Sequence, residues 1–483
     1  MNIAIKYANG FKWGAFSKGG RQVAQLLSYI FFARFLSPQD FGLMSMALVV
    51  IGLGDVFRDF GISSAIIQQK NISDSFLNSI FWVNLSLGGV ISLIVFFSSP
   101  LISDFYSNRS LIPILQILSV IFFVGNLGSL QRSLFEKEMN FKTVYIIDLI
   151  TQVFSSLVGV IIAYNGGGIW SIITQTILFY IFSTLLIWMA SKWSPSFVLN
   201  LNDLKIIKDF SINLTGFNLI NFFSRNADYI IIGKFLGSEQ LGYYTLAYKI
   251  MLYPLQFISD IVNKVTYPIY SKIQDENEKI KNIYKKVTVS IALITMPLMI
   301  GLMLLCKPFV LTVFGDKWKP VIVLVMILAP VGIVQSILTT VSPLYLTKGR
   351  TDLFFKWGLL STTFIVLSFF IGINYGIIGT AIAYASVSIL LSAVGFRIPF
   401  RLINLKFTEF LPGFLFPLRH TLLMTTVILV SNYFTISFLN VADFWQLISG
   451  LISGIIAYVA SLFIFNRSYI FEIKNILYQE SNN

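Results

Sequence analysis

The sequence predicts an all-α polytopic membrane protein of about fourteen transmembrane helices, and three observations carry that prediction. Hydrophobic residues make up 56% of the 483 positions and charged residues only 12%, with 46 Phe among them. An ordinary soluble domain carries roughly 25% charge, and disorder needs the opposite composition. The apolar residues run in segments of about 20, the length that crosses a bilayer as a helix. Lys and Arg then divide very unequally between the two sides of those segments.

Taken in order, the apolar runs fall at 13–36, 41–64, 77–101, 111–131, 143–164, 169–190, 207–236, 241–267, 287–306, 320–346, 354–375, 377–396, 414–437 and 444–465. Turn chemistry marks several breaks: Ser37-Pro38-Gln39-Asp40, Asn165-Gly166-Gly167-Gly168 and Gly315-Asp316. The first residues carry no compact apolar core with a small-residue cleavage site, so no cleaved signal is expected. With the N-terminus placed in the cytoplasm, 25 of the 35 Lys and Arg fall in cytoplasmic segments and six on the opposite side. The other four, Arg58, Arg225, Lys249 and Lys264, sit inside spans. That asymmetry puts both termini in the cytoplasm and requires an even number of spans. It also accounts for the net charge of +13 without nucleic acid. In the longest cytoplasmic loop, around 268–286, Ile269, Ile273, Ile280, Ile283 and Tyr284 recur near helical spacing with charge between them. That pattern predicts an amphipathic helix on the membrane surface or a connector between bundles.

The composition closes several functional classes. One cysteine, Cys306, and one histidine, His420, exclude intrachain disulfides, thiolate metal clusters and the usual His constellations. No G-x-x-x-x-G-K-[S/T] run is present to cradle nucleotide phosphates. No catalytic residue, metal or cofactor is therefore expected, and work must be driven by an ion or substrate gradient.

A charge at mid-bilayer costs at least about 2.5–3.5 kcal/mol, so each one demands a partner or a wet cavity. The first span carries Lys18, Arg21, Gln22, Gln25 and Ser28 along one helical stripe. Lys18 reads as a snorkelling end, and Arg21 with Gln25 and Ser28 as a cavity face. In the second span Asp55, Arg58 and Asp59 share a face, as a self-neutralising cluster or a substrate contact. The seventh holds Arg225 and Asp228 three apart, amid Asn213, Asn218, Asn221 and Asn226, the pattern of a water-filled face. The eighth holds Lys249, Asp260 and Lys264, the last two spaced for an intrahelical pair. Asp148 in the fifth span has no evident local partner, which leaves pairing with a distant cation or binding of a coupling H⁺ or Na⁺. Arg21, Gln25, Arg58, Arg225, Lys249 and Lys264 are the candidate substrate contacts, and Asp148, Asp228 and Asp260 the candidate ion carriers. Gly450 and Gly454 in the last span suit close helix packing, with dimerisation as the alternative.

A shift of 200 residues lays Ala33-Arg34-Phe35-Leu36-Ser37-Pro38-Gln39-Asp40-Phe41-Gly42 over Gly233-Lys234-Phe235-Leu236-Gly237-Ser238-Glu239-Gln240-Leu241-Gly242 without a gap. Six spans separate the copies, so both halves share one orientation, as in a parallel repeat about an axis normal to the bilayer. The expected organisation is a six-helix bundle over 1–198, a second over 199–400, and two additional helices with a cytoplasmic tail over 401–483.

The run Ala33 to Leu43 resembles the N-terminal motif of Wzx-type polysaccharide (O-antigen) flippases, especially the WzxC/colanic-acid exporter branch, in the MOP superfamily. Three further stretches resemble the same branch: Asp59-Phe60-Gly61 with Ser64 to Gln68, Gly168-Ile169-Trp170-Ser171, and Tyr267-Pro268 followed by Lys272-Ile273-Gln274-Asp275. The likeness covers the first 290 residues, while the C-terminal third matches in hydropathy and span count alone. It implies two bundles around a V-shaped cavity, a fold shared with MATE drug exporters and MurJ lipid II flippases. The activity it implies is alternating-access transfer of undecaprenyl-diphosphate-linked oligosaccharide from the cytoplasmic to the periplasmic leaflet of the bacterial inner membrane. Cationic cavity groups suit a diphosphate and suit cationic drugs badly. A MATE-like antiporter, a lipid II flippase and a membrane-embedded glycosyltransferase or polymerase are the rival readings. The expected partners are the lipid-linked oligosaccharide, membrane lipids, a coupling ion and polysaccharide polymerase or assembly proteins.

Overall fold

The structure, a computed structural model, describes residues 3–59, 66, 73–437, 439 and 441–465. Side chains are described from Gly19 onward, apart from 59, 201–214, 217 and 256–265. Among the described residues all regular structure is helical. The helices are α1 (Ile3–Phe35), α2 (Pro38–Asp59), α3 (Asp74–Tyr106), α4 (Leu111–Lys137), α5 (Phe141–Tyr164), α6 (Trp170–Ala190) and α7 (Leu201–Lys272). They continue with α8 (Asn277–Leu304), α9 (Cys306–Val313), α10 (Lys319–Leu338), α11 (Val341–Thr347), α12 (Thr351–Gly372), α13 (Gly376–Leu402), α14 (Phe407–Phe410), α15 (Leu415–Ser437) and α16 (Asp443–Phe465).

Ten described stretches are long and apolar enough to cross a membrane. One of them, Thr351–Leu402, is broken at Gly376 (φ 70°) into two helices. α7 is broken at Gly237 (φ 80°, ψ −178°) into two arms, 201–236 and 238–272. With α1 and these arms, the described residues hold fourteen membrane-length helices, the expected number. Large apolar side chains such as Leu101, Met189, Leu390 and Ile464 point outward, a surface that water penalises and lipid does not. The chain is a multi-pass membrane protein.

Local chemistry explains the breaks. At Ser37 the hydroxyl accepts from the Asp40 N–H (3.2 Å) while the Asp40 carboxylate accepts from the Ser37 N–H (3.0 Å) and hydroxyl (2.7 Å). That reciprocal cap stops α1 and starts α2. Ser73 caps α3 through the Phe76 N–H (3.2 Å). Gly166 and Gly168 take positive φ in the α5–α6 turn.

The chain divides into two compact units, residues 1–242 and 243–483. In unit 1, α1 packs on α5, α5 on α6, α6 on α4, α4 on α3, and α2 on both α3 and α4. Lipid tails are as apolar as Leu, so small residues and hydrogen bonds supply much of the interhelical contact. Asn126 Nδ2 donates to the Asn84 carbonyl (2.7 Å), and Trp188 Nε1 donates to the Leu127 carbonyl (2.8 Å). The repeat-related turns meet inside this unit. A Cβ on Gly42 would fall on the Ser238 carbonyl, and one on Gly242 would fall on the Pro38 carbonyl. Pro38 and Ser238 are themselves 200 residues apart, so the contact between the two turns is reciprocal.

In unit 2, α8 packs on α10 and α15, α10 on α13, α13 on α12, and α16 on α15 and α9. The 268–286 stretch is no separate surface helix. It is the end of α7 and the start of α8, joined by a short turn. Ile280 and Tyr284 are fully buried against Tyr270, Tyr345, Phe400 and Phe410. Protein covers this part of the apolar stripe read from the sequence, while Ile273 and Ile283 are partly buried and Ile269 is exposed. Gly450 and Gly454 pack within the chain: a Cβ there would lie 2.5 Å from Leu305 and 2.8 Å from Ile428.

Candidate functional site

Unit 1 brings charged side chains from α1, α4 and α5 together around one carboxylate. Asp148 on α5 has a side chain only 7% exposed. Arg132, near the end of α4, clasps it with both ends of its fork, Nη2 to Oδ1 at 2.5 Å and Nη1 to Oδ2 at 3.2 Å. The same Nη2 donates to Ser183 Oγ on α6 (3.2 Å). Arg21 on α1 adds a single contact, Nη1 to Oδ2 at 3.3 Å, and its side chain stays 41% exposed. Two parallel N–H donors on a carboxylate are the stronger geometry, so Arg132 is the fixed member and Arg21 the loose one.

A second guanidinium group sits alongside. Arg58 Nε lies 3.1 Å from Asp55 Oδ1, three residues back on α2. Its guanidinium lies over the Tyr180 ring at 5.6 Å from the centroid. Tyr180 and Ser183 are three apart on α6, so one face of that helix serves both groups. The Tyr180 hydroxyl interacts electrostatically with Asp55, Arg58 and Arg132, which joins the two groups into one network. Gly125 on α4 makes room for Arg58: a Cβ there would lie 2.6 Å from Nη1. Among the described residues Arg21, Arg58 and Arg132 face Asp55 and Asp148, with Glu136 acting on Arg132 from one turn along α4, and Arg21 is the most exposed of them. Such a site favours an incoming anion.

Of the residues expected from sequence, Arg21, Arg58 and Asp148 come together here. Gln25 is exposed one turn farther along α1. Ser28 is buried and donates to the Ala24 carbonyl (2.7 Å), so its hydroxyl serves its own helix. Arg225, on the first arm of α7, is exposed and makes no ion pair or hydrogen bond with any described residue. Asp228 is buried, and its Oδ1 accepts from the Tyr229 N–H at 2.9 Å. The i,i+3 pair with Arg225 is thus open. Lys249 is half-buried on the second arm, in unit 2. The side chains of Asp260 and Lys264 lie outside the described residues.

Arg132 was not among the sequence candidates, because the apolar run ends at 131 and its charge reads as a loop cation. A signal was nonetheless present. The α4–α5 hairpin turns at residues 138–140, and Arg132 and Asp148 lie about two helical turns from it on opposite strands of the hairpin. Equal depth on neighbouring helices supplies the partner that Asp148 lacks locally.

Comparison with known proteins places this geometry. Residues 31–323 match the family model described as polysaccharide biosynthesis protein. The chain belongs to that family. The chain is 31% identical over 398 residues to the lipopolysaccharide biosynthesis protein WzxC of Escherichia coli K12, covering 81% of this chain and 80% of that one. It is 28% identical over 397 residues to the teichuronic acid biosynthesis protein TuaB of Bacillus subtilis 168, covering 82% of each. Among solved structures, the lipid II flippase MurJ in an inward closed conformation superposes with a TM-score of 0.74 at 19% identity. That superposition covers 94% of this chain and 99% of MurJ, and it establishes a shared fold. The family segment takes in Arg58, Arg132, Asp148, Tyr180 and Ser183, whereas Arg21 precedes it. Helices α15 and α16 follow it.

Those two helices border the other notable surface of this family member. In unit 2 an apolar groove of about 580 Å³ runs between α8, α9, α15 and α16. Pro297, Gly301, Phe309, Met424, Leu447 and Tyr458 are among its walls. The Tyr458 hydroxyl donates to the Leu293 carbonyl (2.6 Å), leaving an almost wholly apolar lining. Among the described residues no group of three or more His, Cys, Asp or Glu side chains is arranged to hold a metal ion.

Proposed function

We propose that this protein is a flippase that carries an undecaprenyl-diphosphate-linked oligosaccharide from the cytoplasmic to the periplasmic leaflet of the bacterial inner membrane. The observation that carries this reading is the arginine cluster of unit 1, where Arg21 spends a single described contact and stays 41% exposed beside Arg58 and Arg132. A diphosphate is the charged part that undecaprenyl-linked donors have in common, and guanidinium matches phosphate oxygens with paired N–H donors. Two relatives named for lipopolysaccharide and teichuronic acid biosynthesis support a polysaccharide precursor as cargo. The likeness to the lipid II flippase supports the fold and says nothing of the sugar. A cationic drug, the cargo of the rival MATE-like reading, is repelled by the Arg21 guanidinium, the most exposed charge of the cluster.

Gln25, Arg225, Lys249 and Lys264 complete the proposed substrate contacts. Arg225 is the most available of them, being exposed and unpaired among the described residues. Both termini lie in the cytoplasm, and two six-helix bundles, 1–198 and 199–400, alternate in access, with 401–483 as the place where assembly proteins dock. The chain performs no covalent step. An H⁺ or Na⁺ gradient drives the cycle through Asp148, Asp228 or Asp260, each a carboxylate inside a span. Deleting the gene in its host tests the reading. Undecaprenyl-linked oligosaccharide should then accumulate on the cytoplasmic leaflet, and unchanged polymer at the surface would refute it.

A further inference from the structure

We propose that Asp148 is an internal stand-in for the substrate's anion: its carboxylate occupies Arg21 in the empty site, yields that arginine to the diphosphate, and reclaims it to drive release. The inference rests on the reading of the arginine cluster as the diphosphate site.

The three contacts on Asp148 are unequal, and the inequality is the basis for the exchange. Arg132 approaches both carboxylate oxygens and is itself tied to Ser183. Asp148 therefore does not depend on Arg21 for neutralisation. Arg21 makes one long contact at 3.3 Å, is 41% exposed, and makes no other described bond. A guanidinium has five N–H donors, so four remain beyond the described contact for an incoming anion. Carboxylate and phosphate present similar oxygen pairs to such a fork. The site thus already holds, at 7% exposure, an anion of the kind the substrate brings. Replacing one contact on Arg21 by phosphate oxygens leaves Asp148 paired with Arg132 throughout, so no carboxylate is stranded in the low-dielectric interior. Asp148 and Arg132 are in this account positioning residues, and Arg21 is the group that touches substrate.

A flippase must release what it binds, and a site built from guanidinium alone would hold a diphosphate too long. A resident competitor lowers affinity and raises turnover together. Removing it should separate the two quantities, which a merely structural ion pair would not do.

The test uses the full-length protein in detergent, with undecaprenyl diphosphate and inorganic pyrophosphate as probes. Asp148→Asn should bind undecaprenyl diphosphate about tenfold more tightly, the scale of one hydrogen bond to a charged group. In proteoliposomes the same variant should turn over more slowly than wild type at saturating substrate. Adding Arg21→Gln should abolish the gain in affinity. Asp148→Glu keeps the charge and reaches one methylene farther towards Arg21, so it should bind several-fold more weakly. If Asp148→Asn does not accumulate, the Glu variant decides, because its carboxylate retains the partner that stabilises the fold. A folded Asp148→Asn that binds no tighter than wild type, or an Asp148→Glu that binds as tightly, would overturn the inference. No binding of undecaprenyl diphosphate by wild type would overturn the diphosphate reading itself, and the inference with it. Pyrophosphate binding that follows the same order of variants locates the exchange at the phosphates, whereas variant effects confined to the lipid probe would refute an anion exchange.

Discussion

Replacing Arg132 with Gln removes the fork from Asp148 and leaves a carboxylate 7% exposed with one contact, at 3.3 Å, to Arg21. Removing one partner of a buried ion pair costs about 3–5 kcal/mol, most of it the penalty of the stranded charge. The Arg132 side chain is itself 32% exposed, and Arg21 remains as a partial partner, so the lower end, about 3 kcal/mol, applies. Neutralising the stranded charge as well, in Arg132→Gln with Asp148→Asn, should return roughly 2 kcal/mol of that loss. Equilibrium unfolding of the four proteins of this cycle in mixed micelles measures both quantities. A loss below about 1 kcal/mol for Arg132→Gln, the value of an exposed pair, would refute the assignment of Arg132 as the fixed member of the cluster.

Gly42→Ala and Gly242→Ala should each sharply reduce accumulation and lower thermal stability by similar amounts, because each Cβ would fall on the backbone carbonyl of the opposite repeat copy; one silent variant would refute the reciprocal contact. Arg225→Ala should insert and accumulate normally, since no described partner depends on it, yet bind undecaprenyl diphosphate about ten- to hundredfold more weakly. Asp228→Ala should not rescue it, because the pair is open; rescue measured in proteoliposomes would show that the pair closes during transport. Reporter fusions after Asn165, Gly237 and Gly315 should read periplasmic and those after Lys137, Lys281 and Arg350 cytoplasmic, with two reversals enough to reject the orientation. Gly301→Phe should fill the apolar groove without destabilising the protein, since only Met424 lies within 4 Å of a Cβ there. Its rate of lipid transport should fall if the groove takes an apolar chain and stay unchanged if it does not.

The spans were legible because composition alone decides them: an unbroken apolar run of membrane length has one stable form, the helix. The Ser37–Asp40 turn was legible because its chemistry is local, and the 200-residue register because Phe35, Leu36 and Gly42 recur as Phe235, Leu236 and Gly242. The site was legible only in part. Arg21, Arg58 and Asp148 stand out as charges where lipid forbids them, but their partners lie on other helices, and distance along the chain hides that. Arg132 was hidden differently. Hydropathy ends its span at 131, whereas α4 continues to Lys137 and carries the arginine back to the level of Asp148. At 268–286 the helical stripe was readable, yet what covers Ile280 and Tyr284 comes from Tyr345, Phe400 and Phe410, at least 60 residues on. Spacing likewise permitted an Arg225–Asp228 pair, and side-chain rotamers, which spacing does not determine, left it open.

The central claim, that the arginine cluster of unit 1 recognises a diphosphate on a lipid carrier, is tested most directly by translocation in proteoliposomes. Purified protein should flip undecaprenyl-diphosphate-linked oligosaccharide without ATP. The rate should rise with an imposed H⁺ or Na⁺ gradient and fall at least about tenfold in Arg21→Gln, the loss expected for one charge-assisted contact. Equal rates for wild type and Arg21→Gln, or equal transport of a carrier lacking the diphosphate, would contradict the account.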